Sequence, residues 1–137
     1  KVYNLNVVTG ILFPHESPLR TNNDMDDVIK YRDKYDLESI VTVEKAKTNP
    51  NYFFCEKEAE TIRPYSKEIK LVNRQEMKEF YTLNGAIYLS SIESVIKHKS
   101  LVTMKTYGYK MSRDKSIDID TLYDWQIAEF LKSKNKI

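Results

Sequence analysis

The chain has 137 residues, enough to bury one real core but short for a two-lobed enzyme, and it is near charge balance at +2 with 31% charged and 41% hydrophobic residues. Its basic residues are dispersed among acids instead of gathered on one helix face, which excludes the electrostatic footprint of a nucleic-acid binder. Lys97 to Lys99 and the Lys132, Lys134, Lys136 tail read as solvated helix ends. A single cysteine, Cys55, excludes an intrachain disulfide and cannot make a zinc site alone; between Phe54 and Glu56 it reads as a packed thiol, which suits a reducing compartment. No apolar run approaches a membrane span and no signal-peptide pattern opens the chain as given, so the expectation is a soluble cytoplasmic protein with no membrane partner. A start at Lys1 without an initiator methionine reads as a piece of something longer.

Asn4 to Phe13 is an apolar, β-branched run that stops at Pro14, the pattern of a central, parallel strand covered on both faces. Pro14-His15-Glu16-Ser17-Pro18-Leu19-Arg20 follows, where two prolines disfavour helix and hold an extended loop whose polar side chains are placed to face a ligand crevice. Thr21 with Asp24 makes a capping-box variant, and Met25, Val28, Tyr31 and Tyr35 recur at helical spacing, which predicts a helix from Asn22 to about Tyr35. Leu37 to Val43 returns to β-branched residues and completes a strand, helix, strand unit. From Glu44 to Phe80 the regularity fades. Thr48-Asn49-Pro50-Asn51 reads as a turn, and Tyr52-Phe53-Phe54 as a cluster that a small extension buries against another chain.

Tyr81 to Leu89 is predicted as a strand centred on Asn84-Gly85-Ala86-Ile87-Tyr88, with Gly85 allowing a ligand or backbone to approach closely. Ser90 with Glu93 predicts a helix start, and the helix carries Ile92, Val95 and Ile96 to about Lys99. Leu101 to Tyr109 reads as a strand with a bend at Gly108, and Met111 to Lys115 as a loop. Thr121 with Asp124 starts a last helix whose Leu122, Trp125, Ala128 and Leu131 form one apolar stripe.

Between that loop and that helix lies Ser116-Ile117-Asp118-Ile119-Asp120-Thr121. If Ser116 to Asp120 is extended, Asp118 and Asp120 share one face and Ile117 and Ile119 the other. Paired carboxylates repel, and the remedies are a divalent cation, a shared proton or full solvation. The residues alone leave two readings open: a metal-holding edge, or a solvated strand end in which Asp120 caps the next helix.

Taken together, Ser17-Pro18-Leu19-Arg20-Thr21, Asn84-Gly85-Ala86-Ile87-Tyr88 and Ser116-Ile117-Asp118-Ile119-Asp120-Thr121 resemble, in this order and with similar spacing, the acylneuraminate cytidylyltransferases, or CMP-sialic acid synthetases. The resemblance covers nearly the whole chain but only the C-terminal part of that family. It implies an α/β fold with a Rossmann-like three-layer nucleotidyltransferase sheet, incomplete at the N-terminus. Residues 1–48 and 81–137 would form the C-terminal part of the core, and 49–80 a small dimerisation extension inserted in it. It implies transfer of CMP from CTP to the anomeric hydroxyl of a nine-carbon acidic sugar, sialic acid or a relative, with release of pyrophosphate, magnesium as cofactor and a homodimer as the working unit. By resemblance, Asp118 and Asp120 match the carboxylates that hold the metal for catalysis. Tyr88 matches a tyrosine lining the sugar pocket, and Arg20 and Asn84 match motif residues that face the substrate crevice. Arg74 resembles an arginine that the partner subunit offers to the sugar, where a guanidinium would pair with the sugar carboxylate.

Departures accompany these matches. The family usually reads Gln-Pro-Thr-Ser-Pro-Leu-Arg at the first motif; here Pro14 stands where the substrate-facing glutamine is expected, and His15 and Glu16 read as loop surface. Thr82 stands where an arginine is common. The three glycines, Gly10, Gly85 and Gly108, form no phosphate-binding cluster. The expectation is therefore that this chain holds a metal and part of a sugar but not a triphosphate, and is inactive alone. A non-catalytic sugar-binding or dimerisation module derived from the family is the alternative, in which two repelling carboxylates on one face would have no use.

Overall fold

A computed structural model describes residues 9–56, 61–66 and 78–134. In chain order its elements are β1 (Thr9–Leu12), α1 (Asn22–Lys34), β2 (Ser39–Lys45), a 3₁₀ turn (Pro50–Tyr52), β3 (Phe54–Glu56), β4 (Ile62–Pro64), β5 (Tyr81–Ser91), α2 (Ile92–His98), β6 (Tyr107–Lys110), a second 3₁₀ turn (Arg113–Lys115) and α3 (Leu122–Lys134). They divide into two compact units, Lys1–Glu44 with Leu83–Ile137, and Lys45–Thr82.

The first unit is mixed α/β, built on a sheet with the strand order β1-β5-β2-β6. β1 lies antiparallel to β5, with Thr9 opposite Ser91 and Leu12 opposite Tyr88, and β6 lies parallel to β2, with Ile40 opposite Tyr107. Between the two middle strands the Ser91 N–H donates to the Glu38 C=O at 2.9 Å. Four residues away the Thr42 hydroxyl accepts from the Ile87 N–H at 2.9 Å and donates to the Ile87 C=O at 3.3 Å. Those pairings make β5 antiparallel to β2, so β1, β2 and β6 all point one way and β5 alone points back.

β2, read from its β-branched residues as the second strand of the strand, helix, strand unit, is buried from Ser39 to Thr42 and so is covered on both faces. β1 departs from that expectation. Among the described residues it is an edge strand, antiparallel to its neighbour, with Ile11, Leu12 and Phe13 exposed. Apolar continuity cannot by itself distinguish a central strand from an edge, and the inner position is taken by β5, whose Asn84, Ala86, Ile87, Leu89 and Ser90 are all buried.

α1 forms where its cap says it should: the Thr21 hydroxyl accepts from the Asp24 N–H at 3.3 Å, and the Asp24 carboxylate accepts from the Thr21 N–H at 2.8 Å. Its apolar side packs Met25, Val28 and Ile29 against a core of Leu37, Ile40, Ala86, Ile87, Leu89 and Met111. Tyr31 also meets Tyr109 edge-on, with ring centroids 5.5 Å apart.

Four further expectations shift. The cap of α2 is Ser91, whose hydroxyl accepts from the Ser94 N–H at 3.1 Å, because β5 continues through Ser90 and buries it. Of the stretch from Leu101 to Tyr109 only Tyr107 onward is strand. Before it the Thr106 hydroxyl accepts from the Thr103 N–H at 2.7 Å, a local bond that replaces a ladder bond. Gly108 is no bend: it sits in the ladder opposite Val41, and a β-carbon there would come within 3.2 Å of the Val43 side chain. On α3 the stripe is uncovered among the described residues, with Ala128 buried but Leu122 75% and Trp125 51% exposed.

In the second unit Asn49 caps the 3₁₀ turn by accepting from the Asn51 N–H at 2.9 Å, which realises the turn read at Thr48 to Asn51. β3 and β4 form an antiparallel ribbon with Cys55 opposite Arg63, and the Ala46 N–H donates to the Phe80 C=O at 2.9 Å. Cys55 is exposed and is not the packed thiol expected, because among the described residues its two-stranded ribbon is covered by no second layer. Tyr52, Phe53, Phe54, Ile62 and Tyr65 are exposed as well. Among the described residues no helix is long and apolar enough to cross a membrane.

One ion pair ties α1 to the segment after β6: the Lys115 Nζ donates to the Asp24 Oδ1 at 2.8 Å. Burial alone would raise the Asp24 pKa, but the bonds from Lys115 and from the Thr21 hydroxyl and N–H outweigh it and hold the carboxyl below its ordinary value. A depressed carboxyl stabilises the fold above its unfolded pKa and loses that contribution as pH falls through the folded value. Lys115→Met should therefore cost about 1–2 kcal/mol in urea denaturation at neutral pH. The gap from the natural chain should close below the ordinary carboxylate range; a gap unchanged in acid would remove the pair from the stability of the fold.

Candidate functional site

Open α/β sheets bind ligands beyond the carboxyl ends of their parallel strands. The loop from Phe13 to Arg20 leaves that end of β1, and the segment from Met111 to Thr121 leaves that end of β6. β5, running the other way, arrives there with Asn84, Gly85 and Ala86. The three stretches that carry the resemblance thus come together at one edge of the first unit.

Their contacts are specific. Ser17 is buried and its hydroxyl donates to the Asp118 Oδ1 at 3.3 Å, while the Ile119 N–H donates to the Glu16 C=O at 2.9 Å. Arg20 is turned to the protein backbone: its Nη1 donates to the Pro14 C=O, to the Ser17 C=O at 3.2 Å and to the Ala86 C=O at 3.3 Å. Its guanidinium lies over the Phe13 ring, 5.4 Å from the centroid. One side chain thereby staples the proline-flanked loop to β5.

Gly85 has φ of +71°, and a β-carbon built there would lie 2.7 Å from the Asp118 Oδ2. Both facts require glycine: the left-handed backbone disfavours any L side chain, and the space is filled by a carboxylate. The close approach read at Gly85 from the sequence is made by Asp118 itself. On either side of this contact, the Asn84 Nδ2 donates to the Ser116 hydroxyl at 2.8 Å and the Asn84 Oδ1 accepts from the Ala86 N–H at 3.2 Å. The Ser116 hydroxyl in turn donates to the Ser112 C=O at 2.7 Å.

Ser116 to Asp120 is not a strand. Among the described residues it pairs with no strand, and its backbone bonds go to the preceding 3₁₀ turn and to Glu16. The cap of α3 is Thr121, whose hydroxyl accepts from the Asp124 N–H at 3.3 Å and whose N–H donates to the Asp124 carboxylate at 2.9 Å. The Asp120 N–H donates to the Asp124 carboxylate, while the Asp120 side chain is exposed and without a hydrogen bond or ion pair among the described residues. Tyr88 is half-buried on β5 opposite Leu12, roughly 13 Å along the strand from Asn84. Arg74 lies outside the described residues.

Among the described residues no group of three or more His, Cys, Asp or Glu side chains could hold a metal unaided. What the edge offers is two exposed carboxylates, one with a single hydroxyl bond and the other with none. That donor set fits Mg²⁺, which keeps several waters and accepts one or two carboxylates when substrate phosphates supply other oxygens. It does not fit zinc, which takes three or four protein ligands. A cavity of about 560 Å³ lined by residues that include Tyr35, Leu37, Glu38 and Tyr107 lies elsewhere, where β2 and β6 begin.

Gly85→Ala should lower stability by about 1–2 kcal/mol from backbone strain and push Asp118 off its position. Thermal denaturation together with a crystal structure of the variant checks this, and an alanine variant with natural stability and Asp118 in place would show that the Gly85–Asp118 contact is not required.

No family model matches the chain. Individual proteins do. An N-acylneuraminate cytidylyltransferase of Streptococcus agalactiae is 28% identical over 115 residues, 84% of this chain and 28% of its own length. Post-translational flagellin modification protein B of Campylobacter coli is 25% identical over 121 residues, 87% of this chain and 51% of its own length. A CMP-N,N'-diacetyllegionaminic acid synthase of Campylobacter jejuni is 28% identical over 94 residues, 69% of this chain and 40% of its own length. The chain thus spans between about a quarter and a half of these relatives. Over most of its residues the chain is thus similar to an N-acylneuraminate cytidylyltransferase and to a CMP-N,N'-diacetyllegionaminic acid synthase, and the three motif stretches meet at one edge.

Proposed function

We propose that this protein transfers CMP from CTP to the anomeric hydroxyl of a nonulosonic acid, sialic acid or a bacterial relative, and that Asp118 and Asp120 are its metal-holding carboxylates. The observation that carries this reading is the placement of Asp118 between Ser17 and Gly85, with the Asp120 carboxylate two residues on and without a partner among the described residues. In the reaction the sugar hydroxyl oxygen bonds to the α-phosphorus, the bond from that phosphorus to the bridging oxygen of the β-phosphate breaks, and the hydroxyl proton is released. Negative charge gathers on the phosphoryl oxygens and the departing pyrophosphate. Mg²⁺, when bound, supplies the charge compensation for both.

The residues of this chain position and compensate. The Ser17 hydroxyl orients one Asp118 oxygen, and the absence of a β-carbon at Gly85 lets the other lie against β5. Arg20 holds the Ser17 loop to the Ala86 carbonyl, so its part is to fix the crevice wall. Tyr88 is assigned to the sugar pocket farther along β5, and Arg74 to the sugar carboxylate in a neighbouring subunit. Triphosphate contacts fall outside these residues, since the glycines form no phosphate-cradling loop.

The Rossmann-like character of the core is part of the same proposal, supported by the three strands that run in parallel. The second unit is assigned to a homodimer contact because its ribbon and 3₁₀ turn display Phe53, Phe54, Ile62 and Tyr65 to solvent in the single chain. The fold and the relatives suit a protein of the cytoplasm, where CTP is available.

Asp120→Asn in the full-length protein should reduce Mg²⁺-dependent pyrophosphate release from CTP and a nonulosonic acid by about a hundredfold or more, while light scattering still reports two chains per particle. Undiminished turnover would remove Asp120 from the metal site, and a single-chain mass for the natural protein would remove the dimer.

A further inference from the structure

The geometry points to Asn84 as a positioning residue that sets Asp118 through Ser116, rather than a group that touches the substrate. This rests on the metal-site reading of Asp118 and deepens it. Asn84 is 4% exposed and Ser116 6%, so neither has surface to offer a sugar or nucleotide. The Asn84 amide is engaged at both ends, by the Ser116 hydroxyl at 2.8 Å and the Ala86 N–H at 3.2 Å.

Each bond acts on the same contact from a different side. By reaching from residue 84 to the N–H of residue 86, the Asn84 carbonyl spans Gly85 and holds its left-handed conformation, the turn-forming habit of an asparagine side chain. By donating to Ser116, the same amide fixes the chain two residues before Asp118, and Ser116 passes the restraint to Ser112 at the start of the 3₁₀ turn. That turn has its own anchors: Lys115 on Asp24 at 2.8 Å, and Arg113 with its Nε 3.6 Å from the Glu44 carboxylate. Asn84 thus bonds on both sides of the Gly85–Asp118 contact, to Ala86 beside the glycine and to Ser116 two residues before the aspartate.

A buried amide that positions a ligand behaves as an outer-shell partner, whose loss typically weakens metal binding about 10- to 100-fold. The test is Mn²⁺ affinity, read by electron paramagnetic resonance on the full-length protein with CTP and no sugar, so that no turnover is needed. Asn84→Ala and Ser116→Ala should each weaken Mn²⁺ binding about tenfold or more, and the double variant should be little worse than either single, because the two act as one unit. Thr42→Val, which removes a buried hydroxyl bonded to Ile87 away from the site, should lower the denaturation midpoint and leave Mn²⁺ affinity alone. Natural Mn²⁺ affinity in both alanine variants, with lowered midpoints, would reduce the pair to a merely structural role and overturn the inference. If Asn84→Ala does not fold, Ser116→Ala carries the same expectation. An Asp118→Asn arm separates the two levels: retained metal binding there would overturn the metal site itself, and the positioning role with it.

Discussion

The Asp118 carboxylate can lie against β5 only because position 85 carries no β-carbon and turns through a left-handed conformation, and much of the surrounding hydrogen bonding serves to keep those two residues together. Ser17 approaches Asp118 from the loop after β1, Asn84 holds the glycine and reaches Ser116, and Arg20 ties the loop back to Ala86. The neutral bond from Asn84 is worth about 1 kcal/mol net, and those involving the Asp118 and Arg20 charges about 1.5–3 kcal/mol each. Their effect is geometric, because each removes a different freedom from one carboxylate.

Strand direction explains why distant stretches meet. With β1, β2 and β6 parallel, the loop after β1 and the segment after β6 emerge at the same edge. An antiparallel strand inserted between β1 and β2 brings its beginning, not its end, to that edge, and the beginning of the buried part of β5 is Asn84. A parallel strand in that place would have delivered Ser90 there and left Gly85 at the far side of the sheet. The fold therefore turns three motifs separated by dozens of residues into neighbours.

Local signals were legible where the chemistry is local. The Thr21–Asp24 and Thr121–Asp124 caps, the Asn49 turn and the strand β2 all follow from side chains close in sequence. What could not be read are the choices made by tertiary competition. Residues 9 to 12 are as apolar as a central strand, yet β5 occupies the inner position; Ser90 offers as good a cap as Ser91, yet the sheet claims it. The acidic stretch alternates like a strand but pairs with none among the described residues, and its backbone bonds go to Glu16 and Arg113. The Asp118 and Asp120 pair was visible as chemistry, whereas the roles of Ser17, Ser116 and Lys115 were hidden, since a serine or lysine in a polar loop carries no pattern until its partner is known. Arg20 and Asn84 stood out as motif residues, but a motif does not reveal whether a side chain faces a crevice or, as here, the backbone and a buried serine.

The most direct measurement is anomalous diffraction from crystals of the full-length protein grown with CTP and Mn²⁺. A peak in contact with carboxylate oxygens of both Asp118 and Asp120, with Ser17 still bonded to Asp118 and Gly85 still beneath it, is the expected result. A metal bound to other residues, with Asp118 and Asp120 facing only solvent, would contradict it.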